Sequence, residues 1–339
     1  MTKLAISRRR FLASATIGGT GLVLSGCNVL DGLDSDPMTG GMRAHPPPLL
    51  AADPMRARML TVIVTGVWAG VEALAARVLR HYTVYQIVWA RYGVHLLFML
   101  LVWGTRQPAS LITTRRPAFQ LGRSMLMVLM PASWAIAVGR GAPPTAVLAI
   151  FWLAPLMVLA LAAAGLGERP RRQDWLMAGC GFAGTSLIFH PMVLPGTLNF
   201  VLALTMGLSF SLYIVMTRSL RSESIRVNLF LTALGVFVVL TPVMPWVWIA
   251  PSRHDVLIFA GIGLFGFVML WLLDRLASAA PVSLTAPFLY LQVLFTALLA
   301  VFVGHLHPGR ASIVGIGCIL FAALVTWFDG RRPVLAEAT

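Results

Sequence analysis

The sequence predicts an all-α membrane protein with ten transmembrane helices, arranged as two inverted five-helix repeats. Three observations support this prediction: an apolar composition, a duplicated half and an asymmetric distribution of arginine. Hydrophobic residues form 58% of the 339-residue chain and charged residues only 11%, whereas a soluble domain is about half apolar and about a quarter charged. So little polar surface does not cover a soluble globule of this length, and we therefore expect lipid to surround most of the chain.

Ten apolar stretches are long enough to cross the hydrocarbon core as helices, which takes about 20 residues. Short segments that carry arginine, proline or glycine separate them. Every backbone polar group inside lipid must be paired locally, so continuous apolar stretches of this length indicate helices rather than barrel strands. The predicted spans are residues 59–79, 84–104, 119–138, 144–166, 174–190, 197–217, 228–249, 255–273, 280–303 and 311–328.

The second half of the chain repeats residues of the first half. Seven positions between Ala142 and Gly167 recur with the same residue type 137 positions later, between Ala279 and Gly304. A shorter match, at a spacing of 141, links the starts of the two halves. Duplication within a very apolar chain is typical of secondary transporters, in which two repeats enclose a solute site near the bilayer midplane.

The arginines predict the orientation of the chain. If the first helix starts in the cytoplasm, 15 arginines lie on the cytoplasmic side and five on the opposite side, as the positive-inside rule requires. Five is an odd number of crossings, so the repeats, residues 58–190 and 195–329, cross in opposite senses. We expect both termini, including the tail 330–339, in the cytoplasm of a bacterium. The same bias explains the net charge of +14 without a nucleic-acid partner.

Residues 1–57 form a separate, signal-like extension. Residues 8–12 resemble a twin-arginine export signal, and Cys27 ends a stretch that resembles a lipoprotein processing box, which makes it a candidate lipidation site. Two interpretations stay open: a signal on a membrane protein of unusual topology, or an extension that the mature protein lacks, with synthesis starting between Met38 and Met59. We favour the second, because only then do the arginines before the first span lie in the cytoplasm.

Charged residues inside predicted spans are the first candidates for function, because lipid makes them costly. Glu72 is the only acid well inside a predicted span, Arg91 lies at a similar depth in the next one, and His95 follows Arg91 by one turn. Either Glu72 and Arg91 form an ion pair that fixes helix packing, or Glu72 responds to a cationic group or a proton, since a carboxylate in low dielectric can exchange protons near neutral pH. We expect His95 to be a packing residue.

Four further residues are candidates to contact a solute. Trp152, Tyr290 and Gln292 lie near the middle of predicted spans, and Tyr213 occupies the position of Glu72 in the second half. Aromatic residues at mid-span are not interface anchors, so they either line a cavity or pack in the core. The sequence contains no recognisable catalytic, cofactor-binding or metal-ligand motif, so we expect neither an enzyme nor a cofactor.

Several of these segments resemble a known family, the drug/metabolite transporter superfamily, EamA type. They are Arg91–Tyr92, Ala142–Pro155 with Gly167–Arg169 after it, and Ala280–Tyr290. The resemblance implies two inverted five-helix repeats, cytoplasmic termini and movement of small metabolites across the inner membrane, often outward. The chain departs from the family pattern at Gly304–His305, where the second half lacks the acid of the Gly–Glu pair.

The sequence therefore predicts a carrier that moves a small metabolite through the lipid bilayer by alternating access, with export as the expected direction and a proton as the candidate coupling ion. The first, third, fourth, sixth, eighth and ninth spans are expected to line the path. Two alternatives stay open: a multi-pass membrane protein that does not transport, and an intramembrane enzyme. The substrate and the oligomeric state are not indicated.

The inverted repeat makes a prediction about topology. A reporter fused after Arg171 is expected to lie in the cytoplasm, and one fused after Arg310 on the opposite side, because these positions begin corresponding helices of opposite sense. Alkaline phosphatase and green fluorescent protein fusions measure the two locations. Reporters on the same side would contradict the inverted repeat and the carrier assignment with it.

Overall fold

A computed structural model describes residues 54–105, 108–189, 196–305 and 307–329, and in these residues the secondary structure is entirely helical. The all-α prediction is confirmed for this part of the chain. Most of the signal-like extension, with Cys27, and the tail 330–339 lie outside the described residues.

Ten long helical elements follow the order of the predicted spans through the described residues. They are α1 (Pro54–Val78), α2 (Val84–Met99, continued by a π-helical turn, Leu100–Gly104), α3 (Pro117–Gly139), α4 (Pro144–Phe151 and Ala154–Gly165), α5 (Arg172–Phe189), α6 (Thr197–Ser219), α7 (Ile225–Leu240, continued by short turns to Val247), α8 (Arg253–Ala279), α9 (Val282–Thr285, a 3₁₀ segment Ala286–Tyr290, and Leu291–Phe302) and α10 (Arg310–Asp329).

Nine of these elements, within the described ranges, are long and apolar enough to cross a membrane. The exception is α5, an 18-residue helix that begins at Arg172 and carries Asp174 in its first turn. Large apolar side chains such as Leu257 and Phe302 are exposed on the outside of the bundle, as expected for surfaces that face lipid rather than water. The protein is therefore a multi-pass membrane protein.

Two helix boundaries differ from the prediction in ways that matter for the site. Helix α1 begins at Pro54, inside the segment that was assigned to the N-terminal extension. Helix α8 continues to Ala279, beyond the predicted end at residue 273, and so includes Asp274 as a buried side chain. The hydropathy pattern ends the span early because Asp274 and Arg275 interrupt the apolar run.

Helices α4 and α9 are both broken near their middles. The break in α4 follows Phe151, and α9 passes through its 3₁₀ segment. Proline explains both breaks, because Pro155 and Pro287 lack the backbone N–H that would continue the ladder and clash with the preceding turn. The break in α4 exposes the Trp152 carbonyl, which accepts a 3.0 Å hydrogen bond from the Tyr290 hydroxyl.

The helix packing relates the two halves of the chain. Helix α1 packs against α8 and α9, and its counterpart α6 packs against α3 and α4. Likewise α2 packs against α8, and α7 against α3, while α5 pairs with α10. When five is added to or subtracted from the helix numbers, each of these pairs becomes a pair that also packs together, such as α1–α8 and α6–α3. One apolar core, with side chains from both halves, fills the space between them.

The closest backbone approach in the α5–α10 pair is at Gly184 and Gly315. A Cβ on Gly184 would lie 2.6 Å from the Gly315 carbonyl oxygen, and a Cβ on Gly315 would collide with the Gly184 carbonyl oxygen. Small residues that allow such contact are the usual basis of helix association in lipid. These two glycines therefore fix the distance between α5 and α10.

This contact predicts a loss of stability for Gly184→Ala of about 1–3 kcal/mol, because the added methyl group forces the two backbones apart. Gly179→Ala on the same helix is the matched control, since no atom lies within 4 Å of the position that a Cβ would take there. Thermal unfolding in detergent measures both variants, and equal melting temperatures for the two would contradict the packing role of Gly184.

Candidate functional site

Glu72 marks the point where the inward face of α1 changes from buried to exposed. Trp68, one turn earlier on the same face, is buried, whereas Glu72 and Ala76, one turn later, are exposed. The Glu72 carboxylate accepts a 2.6 Å hydrogen bond from Nε2 of the buried Gln292 on α9, which also donates to the Thr296 hydroxyl at 3.2 Å. Gln292 therefore orients the carboxylate within the exposed region around Glu72 and Ala76, in the C-terminal half of α1, which is called the space beside Glu72 below.

Arg91 makes no direct contact with Glu72, so the ion-pair alternative lacks a short charge–charge contact. In the described part of the chain, no nitrogen of Arg91 lies within 4.0 Å of the Glu72 carboxylate, although the two charges interact electrostatically. Gln292 takes the donor position at the carboxylate. The Arg91 side chain instead crosses Gly266 of α8, where a Cβ would collide with its Nε atom, and lies 5.5 Å from the Tyr92 ring.

Arg91 is half-buried, and its Nε atom has no hydrogen-bond partner among the described residues. His95, one turn further along α2, is buried and contacts the rings of Phe267 at 5.0 Å and Tyr92 at 6.1 Å between centroids. These ring contacts are those of a packing residue, as the sequence suggested. Helix α2 thus presents a cation, Arg91. Among the described residues, no carboxylate contacts its guanidinium directly.

An aromatic layer lies directly below Glu72. The Trp68 ring is 5.0 Å from Phe210, 5.8 Å from Trp152 and 6.5 Å from Phe151 between centroids. Tyr290 continues the layer, 5.9 Å from Trp152. Trp152, Tyr290 and Gln292 are therefore brought together with Glu72, and their side chains are buried beneath it.

Tyr213 lies elsewhere, one turn beyond Phe210 toward the end of the bundle where α4 and α6 end; this end is called the inner end, because the arginines predict that it faces the cytoplasm. Its ring is 5.1 Å from the guanidinium of Arg123, which is fully buried in α3. The Arg123 nitrogens donate hydrogen bonds of 2.6–3.0 Å to neutral acceptors on α3, α6 and α7, namely Thr217 Oγ1, Gln120 Oε1, Thr232 Oγ1 and the Asn228 carbonyl. Tyr213 is thus separated from Glu72, although the two occupy equivalent positions in the repeats.

Asp274 completes this inner cluster, which comprises Arg123, Tyr213, Asn228 and Asp274 with the neutral partners of Arg123. Asp274 Oδ1 accepts a 2.9 Å hydrogen bond from Asn228 Nδ2, while Oδ2 lies 4.0 Å from Arg123 Nη1. The sequence missed both charges, because Arg123 was counted with the cytoplasmic arginines and Asp274 fell beyond the predicted eighth span. Glu72 is therefore not the only acid inside the bundle.

Glu168 links the helix ends at the inner end of the bundle. Its carboxylate accepts hydrogen bonds from the backbone N–H groups of Val282, at 3.0 Å, and Ser283, at 2.8 Å, at the start of α9. Arg218 at the end of α6 lies 3.9 Å away and donates to the Ala277 carbonyl. An anion at a helix N-terminus is favourable, so Glu168 joins the ends of α4, α6 and α9.

At the opposite end of the bundle, hydrogen bonds join a different set of helices. The Tyr82 hydroxyl, between α1 and α2, donates a 2.8 Å hydrogen bond to Asp255, and this carboxylate raises the pKa of Tyr82. Gln86 exchanges two hydrogen bonds with the backbone of Ile249. These contacts tie α2 and the turn before it to the α7–α8 connection. No cluster of metal-ligating side chains occurs among the described residues.

Both halves of the chain match one protein family. Residues 56–190 and residues 197–328 each match the EamA-like transporter family. One solved crystal structure superimposes with a TM-score of 0.70 over 82% of this chain and 98% of the other, at 16% sequence identity, which shows a shared fold alone.

Curated relatives carry a more specific name. The S-adenosylmethionine uptake transporter of Rickettsia bellii is 29% identical over 227 residues, 66% of this chain and 77% of that protein. The protein of the same name from Rickettsia prowazekii is 26% identical over 227 residues, 67% of this chain and 77% of its own length. The match of both halves assigns the family: the chain belongs to the EamA-like transporter family of the drug/metabolite transporter superfamily, and it is a transporter rather than an enzyme.

Proposed function

We propose that the protein takes up S-adenosylmethionine, or a small zwitterion of similar chemistry, across the bacterial inner membrane by alternating access. The observation that carries this proposal is the exposed Glu72 carboxylate, held by Gln292 near an arginine, Arg91, that lacks a direct carboxylate partner. The solute is proposed from the names of the relatives, and the charges of Glu72 and Arg91 are complementary to the charged groups of this solute.

S-Adenosylmethionine carries a sulfonium cation, an ammonium group, a carboxylate and an adenine ring. Glu72 would bind a cationic group, and Arg91 would bind the carboxylate, for which its planar guanidinium is well suited. The aromatic layer that starts at Trp68 would interact with the sulfonium or the adenine through its ring faces. Trp152, Tyr290 and Gln292 would support this surface, and Tyr213 would contact the solute at a later stage of transport.

The direction of transport is where the proposal departs from the sequence expectation, which was export. The relatives are named uptake transporters, and we therefore propose inward movement. The distribution of burial supports a solute that enters from outside, because the exposed region around Glu72 lies in the C-terminal half of α1, the half predicted to face outward. The Glu168 contacts and the inner cluster close the other end.

The topology of the proposed carrier follows the sequence prediction. Helix α5 would be the tenth crossing, because it packs along α10, itself a candidate span. The repeats 58–190 and 195–329 would then be inverted, with both termini in the cytoplasm, and α1, α3, α4, α6, α8 and α9 would line the path. The exchange of helix pairs between the halves supports this arrangement.

A proton is the coupling ion that the site chemistry supports. A carboxylate that binds either a solute cation or a proton, but not both, links the two movements. Glu72 is the group for this role, since its carboxylate is exposed and held by a neutral donor, Gln292, rather than by Arg91.

The proposal predicts that Glu72→Gln lowers the affinity for S-adenosylmethionine about 10- to 100-fold, because a charge-assisted contact contributes about 1.5–3 kcal/mol. Uptake of the radiolabelled solute into proteoliposomes that contain the purified protein measures the effect. The pH profile of the remaining uptake is expected to flatten.

The matched control is Glu223→Gln, which makes the same substitution at a carboxylate bound to Thr114 at the inner end of α6 and is expected to keep wild-type uptake. Wild-type rates and an unchanged pH profile for Glu72→Gln would remove Glu72 from the site. A wild-type protein that moves no S-adenosylmethionine would refute the proposed solute.

A further inference from the structure

The inner cluster repeats the chemistry of the space beside Glu72. That space combines an acid, an arginine, an amide and an aromatic ring, which are Glu72, Arg91, Gln292 and Trp68. The inner cluster combines the same four groups from other helices, which are Asp274, Arg123, Asn228 and Tyr213. Residues of the same chemistry in the two sets do not occupy equivalent positions in the two repeats, so duplication of the sequence does not explain the similarity.

The two charges of the inner cluster approach each other without a hydrogen bond between them. Asp274 Oδ2 and Arg123 Nε are buried without a hydrogen-bond partner in the described structure, as is the Tyr213 hydroxyl. Arg123 directs its other nitrogens to neutral oxygens, and the nearest approach of the two charges is 4.0 Å. A buried pair without direct bonds recovers little of its desolvation cost, so stability does not account for the arrangement.

The cluster is closed in this structure, and it joins two groups of packed helices, since α3 packs against α6 and α7 whereas α8 packs against α1 and α2. Arg123 belongs to α3 in the first half and Asp274 to α8 in the second. A cavity of about 10 Å³ beside Thr217 and Leu273 leaves room for about one water. A motion that opened the inner end of the bundle would draw α3 and α8 apart. The separated Asp274 carboxylate and Arg123 guanidinium would then be free to bind the ammonium and the carboxylate of an amino acid head group.

We propose that the inner cluster is a second binding station for the zwitterionic head group of the solute, occupied when the carrier is open to the inside. This inference rests on the proposed function, since it assigns the same solute class to a second set of residues. In the present state Asp274 and Arg123 screen each other. In the inward-open state Asp274 binds the ammonium group, Arg123 binds the carboxylate, and the solute leaves from there to the cytoplasm.

The test compares the two faces of the membrane. Transport of radiolabelled S-adenosylmethionine into right-side-out and inside-out membrane vesicles gives the half-saturating concentration at the outer and the inner face. Asp274→Asn keeps the size of the side chain and removes its charge, so it is expected to raise the inner-face value about tenfold or more and to change the outer-face value less than about twofold. Asp329→Asn is the matched control, because Asp329 also lies at the inner end but pairs with the exposed Arg171; both of its values are expected to stay at wild type.

A second variant leaves both charges in place, in case Asp274→Asn does not fold. Thr217→Cys puts a thiol beside Arg123, in a background in which the native cysteines are replaced by serine. A membrane-impermeant maleimide applied at the inner face is expected to label it, and S-adenosylmethionine is expected to protect it at concentrations near the inner-face half-saturating value.

Equal effects of Asp274→Asn at both faces, no effect at either face, or labelling of Thr217→Cys that the solute does not slow would each overturn the second station. In these outcomes the wild-type protein still carries S-adenosylmethionine. If it carries none in either direction, the proposed function itself has failed.

Discussion

Lipid offers no hydrogen-bond partners, and this constraint organises the whole bundle. Each polar group that the chain places between its ends must find a partner within the protein or face a water-filled space. Arg123 meets the first condition with four neutral oxygens from three helices. Glu72 is different, because Gln292 donates to one of its oxygens while the side chain remains exposed. The inner end of the bundle is therefore closed around the buried Arg123, whereas the region around Glu72 is exposed.

The proline-broken helices connect this constraint to movement. Breaks in α4 and α9 free backbone groups at mid-membrane, and one of them, the Trp152 carbonyl, is taken up by the Tyr290 hydroxyl of the opposite half. Glu168 makes a comparable link at the inner end, where it satisfies the first N–H groups of α9. Both links join the first half to the second through a few directional bonds. Such bonds can break together when groups of packed helices move relative to each other, which continuous apolar packing does not allow as readily.

Much of the fold could be predicted from the sequence, because apolar length and internal repetition are local signals. The predicted spans from 84–104 and 119–138 correspond closely to α2 and α3, and the family match covers both halves. The site was predicted less well. Glu72, Gln292, Trp152 and Tyr290 lie together, whereas Arg91 makes no direct contact with Glu72, since two charges at similar depth need not face each other. Asp274 was missed because a neighbouring arginine ended the apolar run before the helix ended.

The sequence by itself determined that the chain crosses lipid many times, that its halves are related, and that Glu72 and Arg91 lie at membrane depth. These properties depend on composition and spacing along the chain, which hydropathy reports directly. Only the tertiary structure decided which polar residues meet: Gln292 rather than Arg91 at Glu72, and Arg123 with Asp274 across α3 and α8. The physical reason is that partner choice depends on helix rotation and approach, which small residues such as Gly266 set through contacts far apart in sequence.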